Sequence, residues 1–238
     1  MRWERKPLLR AIYGSFYRTI GSYIRRDVPG PVVELGSGMA NLKSALPECC
    51  CTDQFANPWI DWVQDAYALS LRDGSVSNLV LFDVLHHLEF PGSALREFER
   101  VLAPQGRLIL FEPCMSLLGW LVYGVFHDEP IGWTRPIRWC RPASAPARYY
   151  SAQGNASRIF TSKTLEHRMG RWTRVALRRF SALSYVASGG FRGPQLYPTA
   201  FLPLLRGVDR LCDPWPSFFA TRMLVVLENA GTPARASR

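Results

Sequence analysis

Residues 32–40 of this chain read Val-Val-Glu-Leu-Gly-Ser-Gly-Met-Ala, and this stretch decides the fold. A short strand that contains Glu34 is followed by a turn with Gly36 and Gly38 and then by a short helical segment. A strand, a glycine turn and a helix in this order begin a β-α-β unit. The dinucleotide fingerprint needs a third small residue three positions after Gly38, where Asn41 stands, so a nicotinamide site is disfavoured.

Further segments extend this unit into an alternating pattern of strands and helices. The run 78–82 is apolar without interruption, which is typical of a central parallel strand that is buried on both faces. A helix begins at Pro91, and its apolar side chains recur at helical spacing. Strands are predicted at 32–35, 49–52, 62–64, 78–82, 107–111, 174–185 and 221–227. The sequence therefore predicts the α/β class with a doubly wound parallel sheet.

The chain is predicted to form a single domain over 1–230 with two additions. An amphipathic helix within 1–26 precedes the first strand, and an insertion at 114–160 follows the fifth strand. The insertion begins with an apolar helix at 115–126 and continues as irregular sequence rich in Pro, Arg and Trp. We expect both additions to form a lid over a pocket at the sheet edge. Helices are also predicted at 41–46, 162–170 and 198–211, and a disordered tail at 231–238.

Composition and charge narrow the class of protein. Of the 238 residues, 47% are hydrophobic and 20% are charged, which excludes a mainly disordered chain. The net charge of +10 belongs to the second half, because 1–113 has 12 basic and 13 acidic residues whereas 114–238 has 17 basic and 6 acidic. This excess favours a partner with phosphate or carboxylate groups, although an ordinary solvated Arg-rich surface explains it equally well.

Four motifs downstream of the glycine loop make the interpretation of that loop specific. They are Asp53 at the end of the second strand, Asp65-Ala66 after the third, Asp-Val-Leu-His-His-Leu at 83–88, and Arg-Val-Leu-Ala-Pro-Gln-Gly-Arg-Leu at 100–108. Together with the loop at 34–40, they resemble the class I S-adenosylmethionine-dependent methyltransferases. Within that class they are similar to the ubiquinone/menaquinone-biosynthesis-like branch, which has the methyltransferase type 11 domain.

The resemblance implies a Rossmann-like seven-strand sheet of order 3-2-1-4-5-7-6 with the last strand antiparallel, and S-adenosylmethionine as the cofactor. Ala40 replaces the third glycine of the family loop, and Gln105 replaces a glycine before the fifth strand. A bacterial subgroup of the family shares the His-x-Glu-Pro element at 127–130 and the Gly-Gly-Phe turn at 189–191. The residues implied to bind the cofactor are Glu34, Gly36, Ser37, Gly38, Asp53, Gln54, Asp65, Ala66, Phe82 and Asp83.

Physical chemistry supports these implied roles. Glycines let the loop backbone approach the methionine part of the cofactor, and free N–H groups at the start of the next helix can bind its carboxylate. A carboxylate at the end of the second strand, here Asp53, can accept hydrogen bonds from both ribose hydroxyls. By resemblance, Asp65 accepts from the adenine amino group, and Glu34 orients the loop and the cofactor's ammonium group. For any single acid, a strand-end cap is the alternative interpretation.

Candidate catalytic residues follow the fourth strand and the insertion helix. His86 and His87 come where doubly wound sheets place their ligands, although a histidine held by backbone partners is the commoner arrangement. His127 and Glu129 can form a base with its orienting carboxylate, a weak metal site, or a plain turn before Pro130. The six cysteines include no Cys-x-x-Cys pair, and we predict no resident metal.

The insertion helix and loops of the second half are expected to bind the acceptor. The predicted contacts are Trp120, Tyr123, Tyr149, Tyr150, Asn155 and Arg158. The predicted reaction is in-line transfer of a methyl group from S-adenosylmethionine to a small molecule with a hydrophobic body and an anionic end.

Two other functions stay open as alternatives, a cofactor-binding subunit without turnover and a nicotinamide-dependent oxidoreductase. Because no apolar run reaches the roughly 18 residues of a spanning helix and no signal peptide is recognisable, we expect a cytoplasmic protein. Peripheral contact with a membrane through the insertion helix is an alternative to its burial. The charge leaves methylation of a nucleic acid as a third option, but no stacking-platform motif or single basic stripe supports a nucleic acid as partner.

Overall fold

The computed structural model of the chain describes residues 3–145, 148–162, 168 and 170–231. Within them, seven strands form one sheet of order β3-β2-β1-β4-β5-β7-β6. They are β1 Val32–Leu35, β2 Cys50–Asp53, β3 Trp62–Val63, β4 Val76–Phe82, β5 Leu102–Pro113, β6 Trp172–Ser181 and β7 Ala220–Asn229. The first five run parallel, and β7 lies antiparallel between β5 and β6. The predicted class, strand order and antiparallel last strand are confirmed.

Helices cover both faces of the sheet. They are α1 Pro7–Gly21, α2 Pro91–Val101, α3 Leu117–Val125, α4 Asn155–Phe160, α5 Leu183–Ala187, α6 Leu202–Cys212 and α7 Pro216–Phe219. Three short 3-10 segments span Asn41–Ser44, Leu85–His87 and Thr199–Phe201. No helix in the described ranges is both long and apolar enough to cross a membrane.

The central strands are buried on both faces because their apolar side chains alternate between two cores. Leu79 and Leu81 of β4 belong to one core, together with Phe98 of α2. Val80 belongs to the other core, together with Ile12 of α1. All five side chains are at most 1% exposed, and burial of each contributes about 1.5–3 kcal/mol. An uninterrupted apolar run is therefore what this position requires.

The N-terminal helix packs against the sheet through an apolar stripe. Leu8, Ile12 and Ile20 of α1 are buried in the core that it shares with the central strands. Its Tyr13 and Tyr17 reach the carboxyl end of β4, where their rings lie 5.3 and 5.6 Å from the ring of Phe82. These two tyrosines bring the helix to the edge where the glycine loop lies, and a lid role for 1–26 stays a prediction.

Most element boundaries differ from the predictions by one or a few residues, and three differences are larger or have a visible structural context. The strand predicted through residue 185 ends at Ser181, because its partner β7 begins at Ala220, which is paired with Ser181. The chain then forms helix α5, whose first turn is held by the Asp209 carboxylate, which accepts from the backbone N–H and hydroxyl of Ser184. The segment 41–46 forms only a 3-10 turn, and the strand predicted at 62–64 is shortened to Trp62–Val63, although the N–H of Gln64 still donates to the carbonyl of Asp53 in β2.

The insertion is irregular between α3 and α4, and α4 was missed because its six residues are too short to show a helical period. The helix predicted at 162–170 falls largely on 163–167 and 169, which lie outside the described residues. The tail at 231–238 lies outside them as well, apart from Gly231.

Candidate active site

The glycine loop is a left-handed turn at the carboxyl end of β1. Gly36, Gly38 and Ala40 have φ of +71°, +53° and +54°. A Cβ on Gly36 would lie 2.5 Å from a methyl carbon of Val84, whereas a Cβ on Gly38 would meet no atom within 4 Å. Gly36 is thus required for close packing and Gly38 faces open space. Ala40 adopts a left-handed conformation that glycine takes without strain, at a cost of about 1–2 kcal/mol.

Asp53 connects the glycine loop to the end of β2. Its Oδ2 accepts a hydrogen bond from the backbone N–H of Gly38 at 3.0 Å, and its Oδ1 accepts from the N–H of Phe55 at 3.2 Å. Each carboxylate oxygen keeps a lone pair for a ligand hydroxyl. Ser37 reinforces the junction, since its N–H donates to the carbonyl of Thr52 and its hydroxyl accepts from the N–H of Thr52. The sequence-predicted Gly36, Ser37, Gly38 and Asp53 therefore lie together.

Glu34 lies beneath this loop rather than on its open side. Its side chain is buried, and Cys51 donates through its thiol to Oε2 over 3.5 Å. Burial, reinforced by the charge of Cys51, raises the pKa of Glu34 to about 8. The position suits the predicted support of the loop, whereas direct contact with a cofactor stays a prediction.

We expect the raised pKa of Glu34 to make stability depend on pH. Folding favours the protonated carboxyl, so its contribution is complete below the unfolded value of about 4.3 and is lost as the pH rises through about 8. Between these values the wild type should lose up to about 1.4 kcal/mol per pH unit relative to Glu34→Gln. Urea unfolding of both proteins at pH 5, 6.5 and 8 measures the difference. Because burial is the main cause of the raised pKa, the same pH dependence of this difference is expected when Cys51 is also replaced with alanine. A stability difference between wild type and Glu34→Gln that does not change with pH would contradict the raised pKa of Glu34.

The remaining predicted cofactor residues differ in their surroundings. Asp65 follows β3, accepts from the N–H of Tyr67 at 2.9 Å, and has Arg141 of the insertion 3.5 Å from its Oδ2. Its neighbour Ala66 is half-buried, and Gln54 after β2 is exposed. All three are at the carboxyl edge of the sheet, and their contact with a cofactor stays a prediction.

Asp83 forms a bidentate ion pair that the sequence did not reveal. Both carboxylate oxygens accept from Arg222 of β7 at 2.7 Å. The guanidinium is buried and lies 5.1–5.8 Å from the ring centroids of four aromatic side chains. These are Phe16, Phe82, Phe111 and Tyr185. Asp83 and Phe82 are thus engaged in structure, and their predicted cofactor contacts are untested.

His86 is held by a buried carboxylate at the end of β5. Its Nδ1 lies 2.7 Å from Oε2 of Glu112, whose other oxygen accepts from the N–H groups of Val84 and Leu85. Burial by itself lowers the pKa of His86, but the charge of Glu112 and the contacts with Glu112 and Glu129 together outweigh burial, and the pKa is raised to about 9. Sequence reasoning missed Glu112, because it lies 26 positions after His86 and only the pairing of β4 with β5 brings the two side chains together.

Glu129 and His87 complete a cluster around His86. Oε2 of Glu129 lies 3.7 Å from Nε2 of His86 and 3.9 Å from Nε2 of His87. The contact with His86 holds the pKa of Glu129 well below its ordinary value. Burial lowers the pKa of His87, and the neighbouring His86 lowers it further. The structure thus unites three of the four predicted catalytic residues, although they come from segments more than 40 positions apart.

His127 is placed differently from the other three. It is exposed, and its Nδ1 accepts a hydrogen bond from the backbone N–H of Glu129 at 3.2 Å. This hydrogen bond stabilises the turn before Pro130. The position of His127 thus agrees with the alternative interpretation that this segment is an ordinary turn. A catalytic role for His127 has no support from its position.

A cavity of about 490 Å³ adjoins the cluster. It is lined by Glu89, Pro130, Arg135, Pro136, Arg138, Arg148, Tyr149, Tyr150 and Ser151. The carboxylate of Glu89 accepts from both Arg138 and Arg148, and Arg135 also lines the cavity, so three guanidinium groups and one carboxylate border it. Tyr149 and Ser151 donate to Glu129 at 2.8 and 2.9 Å and connect the cavity to the cluster. Of the predicted acceptor contacts, Tyr149 and Tyr150 line this cavity.

The other predicted acceptor residues have structural partners. Asn155 is buried and donates to the Tyr150 hydroxyl at 3.0 Å, and Arg158 donates to the carbonyl of Gly132 at 3.1 Å. The hydroxyl of Tyr123 donates to the carbonyl of Thr221 at 2.7 Å. Trp120 lies on the exposed face of α3, with its ring 5.2 Å from that of Trp133. Acceptor contacts for these residues stay predictions.

Comparisons with known proteins agree with this architecture. Residues 40–110 match the family model of a methyltransferase domain. No curated protein sequence matches the chain. Among solved structures, an S-adenosylmethionine-dependent methyltransferase from Archaeoglobus fulgidus is 12% identical, with 92% of this chain and 94% of that chain covered and a TM-score of 0.55.

Two further structures are similar over most of the chain. A possible histamine N-methyltransferase from Thermotoga maritima is 15% identical, covers 96% of this chain and 94% of its own length, and has a TM-score of 0.53. Geranyl diphosphate C-methyltransferase from Streptomyces coelicolor A3(2) is 11% identical, with 90% and 78% covered and a TM-score of 0.52. At these identities the likeness shows the fold. The chain has the Rossmann-like fold of S-adenosylmethionine-dependent methyltransferases, and within it 40–110 match a methyltransferase domain.

Proposed function

We propose that the protein transfers a methyl group from S-adenosylmethionine to a small molecule that carries an anionic group. One observation carries the proposal: the glycine loop, Asp53 and the cluster around Glu129 lie at the carboxyl edge of a sheet with the methyltransferase fold, beside an Arg-lined cavity. Doubly wound sheets bind their ligands at this edge. S-adenosylmethionine is the cofactor that the matched domain and the fold indicate.

The residues at the loop fit this cofactor. The open space next to Gly38 leaves room for a ligand against the loop backbone. Asp53, which is only half-buried, offers two oxygens that can accept from ribose hydroxyls. When bound, the cofactor supplies a methyl carbon that is electrophilic because it is attached to a sulfonium.

The anionic acceptor is supported by the charges of the cavity. Arg135, Arg138 and Arg148 face it, and Glu89 offsets only one of the three positive charges. A guanidinium pairs well with carboxylate or phosphate because it offers two parallel donors. Among the structural neighbours, the Streptomyces enzyme was solved with geranyl diphosphate, Mg²⁺ and S-adenosylhomocysteine, so its fold accommodates an acceptor with phosphate groups.

The chain's contribution to the reaction is positioning. Arginines of the cavity hold the anionic end, so the acceptor's nucleophile can face the sheet edge, where Tyr149 and Ser151 join the cavity to Glu129. Holding two reactants in line removes most of the entropic barrier to transfer. The neighbouring cluster of His86, His87 and Glu129 supplies the polar groups next to that nucleophile.

Calorimetry with S-adenosylhomocysteine tests the proposal first, with NAD as the control ligand. We expect binding of S-adenosylhomocysteine at micromolar concentration and none of NAD. The second step is a screen for transfer of radiolabelled methyl groups from S-adenosylmethionine to hydroxylated carboxylates, hydroxylated phosphates and uncharged analogues. Transfer confined to the anionic compounds is the expected result. Binding of NAD alone would overturn the proposal, and binding without transfer to any acceptor would favour a non-catalytic subunit.

A further inference from the structure

We propose that Nε2 of His86, Nε2 of His87 and the carboxylate of Glu129 form a binding site for one first-row divalent metal ion of the zinc type. The ion's contribution to methyl transfer would rest on the proposed function, but the site itself does not. The three ligand groups come from two segments, the 3-10 turn after β4 and the turn before Pro130. No metal was predicted from the sequence because the ligands are distant in the chain.

Hydrogen bonds fix both imidazole rings in the form that a metal requires. Nδ1 of His86 lies 2.7 Å from the Glu112 carboxylate, and Nδ1 of His87 lies 3.1 Å from the backbone carbonyl of Tyr150. Carboxylate and carbonyl oxygens only accept hydrogen bonds, so each Nδ1 must donate. In the neutral form of each ring, the nitrogen with the free lone pair is therefore Nε2. Metal-binding histidines almost always have such a partner on the other nitrogen.

The spacing of the three ligand atoms also suits a shared ion. Oε2 of Glu129 is 3.7 Å from Nε2 of His86 and 3.9 Å from Nε2 of His87. These separations are too long for hydrogen bonds. Ligand atoms about 2.1 Å from a tetrahedral ion lie about 3.4 Å apart, so each of these two separations would have to shorten by a few tenths of an ångström. The ligand atoms of all three residues lie within 4.8 Å of one another.

Hydrogen bonds from neighbouring side chains orient the carboxylate of Glu129. Tyr149, Ser151 and Gln153 all donate to Glu129. Gln153 is 2% exposed, and its Nε2 donates to Glu129. Oε1 of the same amide group is buried and has no hydrogen-bond partner among the residues that the structure describes. A buried acceptor of this kind is costly unless it meets a donor. A water molecule bound to the ion is a donor of the required kind.

The ligand set selects the class of ion. Imidazole favours Zn²⁺, Co²⁺ and Ni²⁺ over Mg²⁺ and Ca²⁺, which prefer oxygen ligands alone. Two histidines and one glutamate leave at least one position open, as in catalytic zinc sites. The open side adjoins the cavity through Tyr149 and Ser151. An oxygen of the acceptor can take this position, where the ion would align it and lower the pKa of a hydroxyl.

Metal titration of the full chain tests the site. The protein is treated with a chelator, dialysed, and titrated with Zn²⁺, Co²⁺ and Mg²⁺ in separate samples. Elemental analysis then gives the stoichiometry, and the visible absorption of Co²⁺ reports its ligands. The variants are His87→Ala and Glu129→Gln, chosen because both side chains are partly exposed and the fold should tolerate them. His127→Ala is the matched control, since His127 is next to the cluster in sequence but outside it.

We expect one Zn²⁺ or Co²⁺ ion per chain, no stoichiometric Mg²⁺, and a loss of at least about tenfold in Zn²⁺ affinity in His87→Ala and Glu129→Gln. His127→Ala should bind as the wild type does. Less than one ion per chain in the wild type, or equal losses in His127→Ala and His87→Ala, would overturn the site. Binding of S-adenosylhomocysteine, measured on the same samples, reports separately on the fold and the proposed function.

Discussion

Replacement of Asp83 with alanine is expected to lower the free energy of unfolding by about 3–5 kcal/mol. The carboxylate is the hydrogen-bonding partner of Arg222, which is 2% exposed and surrounded by aromatic rings. Without it, the guanidinium stays buried with an uncompensated charge, and its Nε already has no hydrogen-bond partner. Urea unfolding followed by circular dichroism at pH 7 measures the change.

Replacement of the other partner of the ion pair, Arg222, provides the control. Arg222→Met removes the buried charge and keeps a side chain of similar length, while the carboxylate left behind is 30% exposed and can be hydrated. We expect Arg222→Met to lose less than half as much stability as Asp83→Ala. The double variant should be more stable than Asp83→Ala alone, because the unpaired buried charge is gone. A double variant less stable than Asp83→Ala would show that the ion pair is not the source of the effect.

Replacement of Asp53 with alanine is expected to weaken the binding of S-adenosylhomocysteine by about 100-fold or more. Two hydrogen bonds from ribose hydroxyls to a carboxylate contribute about 1.5–3 kcal/mol each, and about 2.7 kcal/mol corresponds to 100-fold in affinity. The substitution also removes the acceptor for the N–H of Gly38, which holds the loop against β2. Isothermal titration calorimetry measures the dissociation constant.

Asp27→Ala is the matched control for this measurement. Asp27 precedes β1 at the opposite edge of the sheet, where its exposed carboxylate accepts from Arg25 at 2.7 Å. We expect the affinity of the Asp27→Ala variant for S-adenosylhomocysteine to equal that of the wild type. If Asp53→Ala binds as tightly as Asp27→Ala, the ribose does not lie at the end of β2, and the cofactor assignment of the loop is wrong.

Local sequence identified the part of the site whose residues are close together along the chain. Gly36, Gly38 and Asp53 were found because a glycine turn and a strand-end acid are properties of single segments. Glu34 was found as well, but its burial under the loop follows from packing against β2 and could not be predicted from its place in the motif.

Contacts between distant segments could not be found in this way. Glu112 meets His86, and Arg222 meets Asp83, only because β4, β5 and β7 are neighbours in the sheet. The apolar periodicity of a strand predicts that it is buried but does not give its neighbour's register. An isolated acid in Phe-Glu-Pro, or an isolated arginine in a strand that is otherwise apolar, therefore has no visible partner in the sequence.

The sequence by itself determined the α/β class, and it predicted the carboxyl edge as the place of the candidate site, with the glycine loop and Asp53 there. The reason is that backbone conformation and strand-end position are local properties. Only the tertiary structure decided that Glu129 joins His86 and His87, that His127 stays outside, and that Arg-bearing loops enclose a cavity. These arrangements depend on how the insertion folds back over the sheet, and that path is set by many weak contacts between residues far apart in the chain.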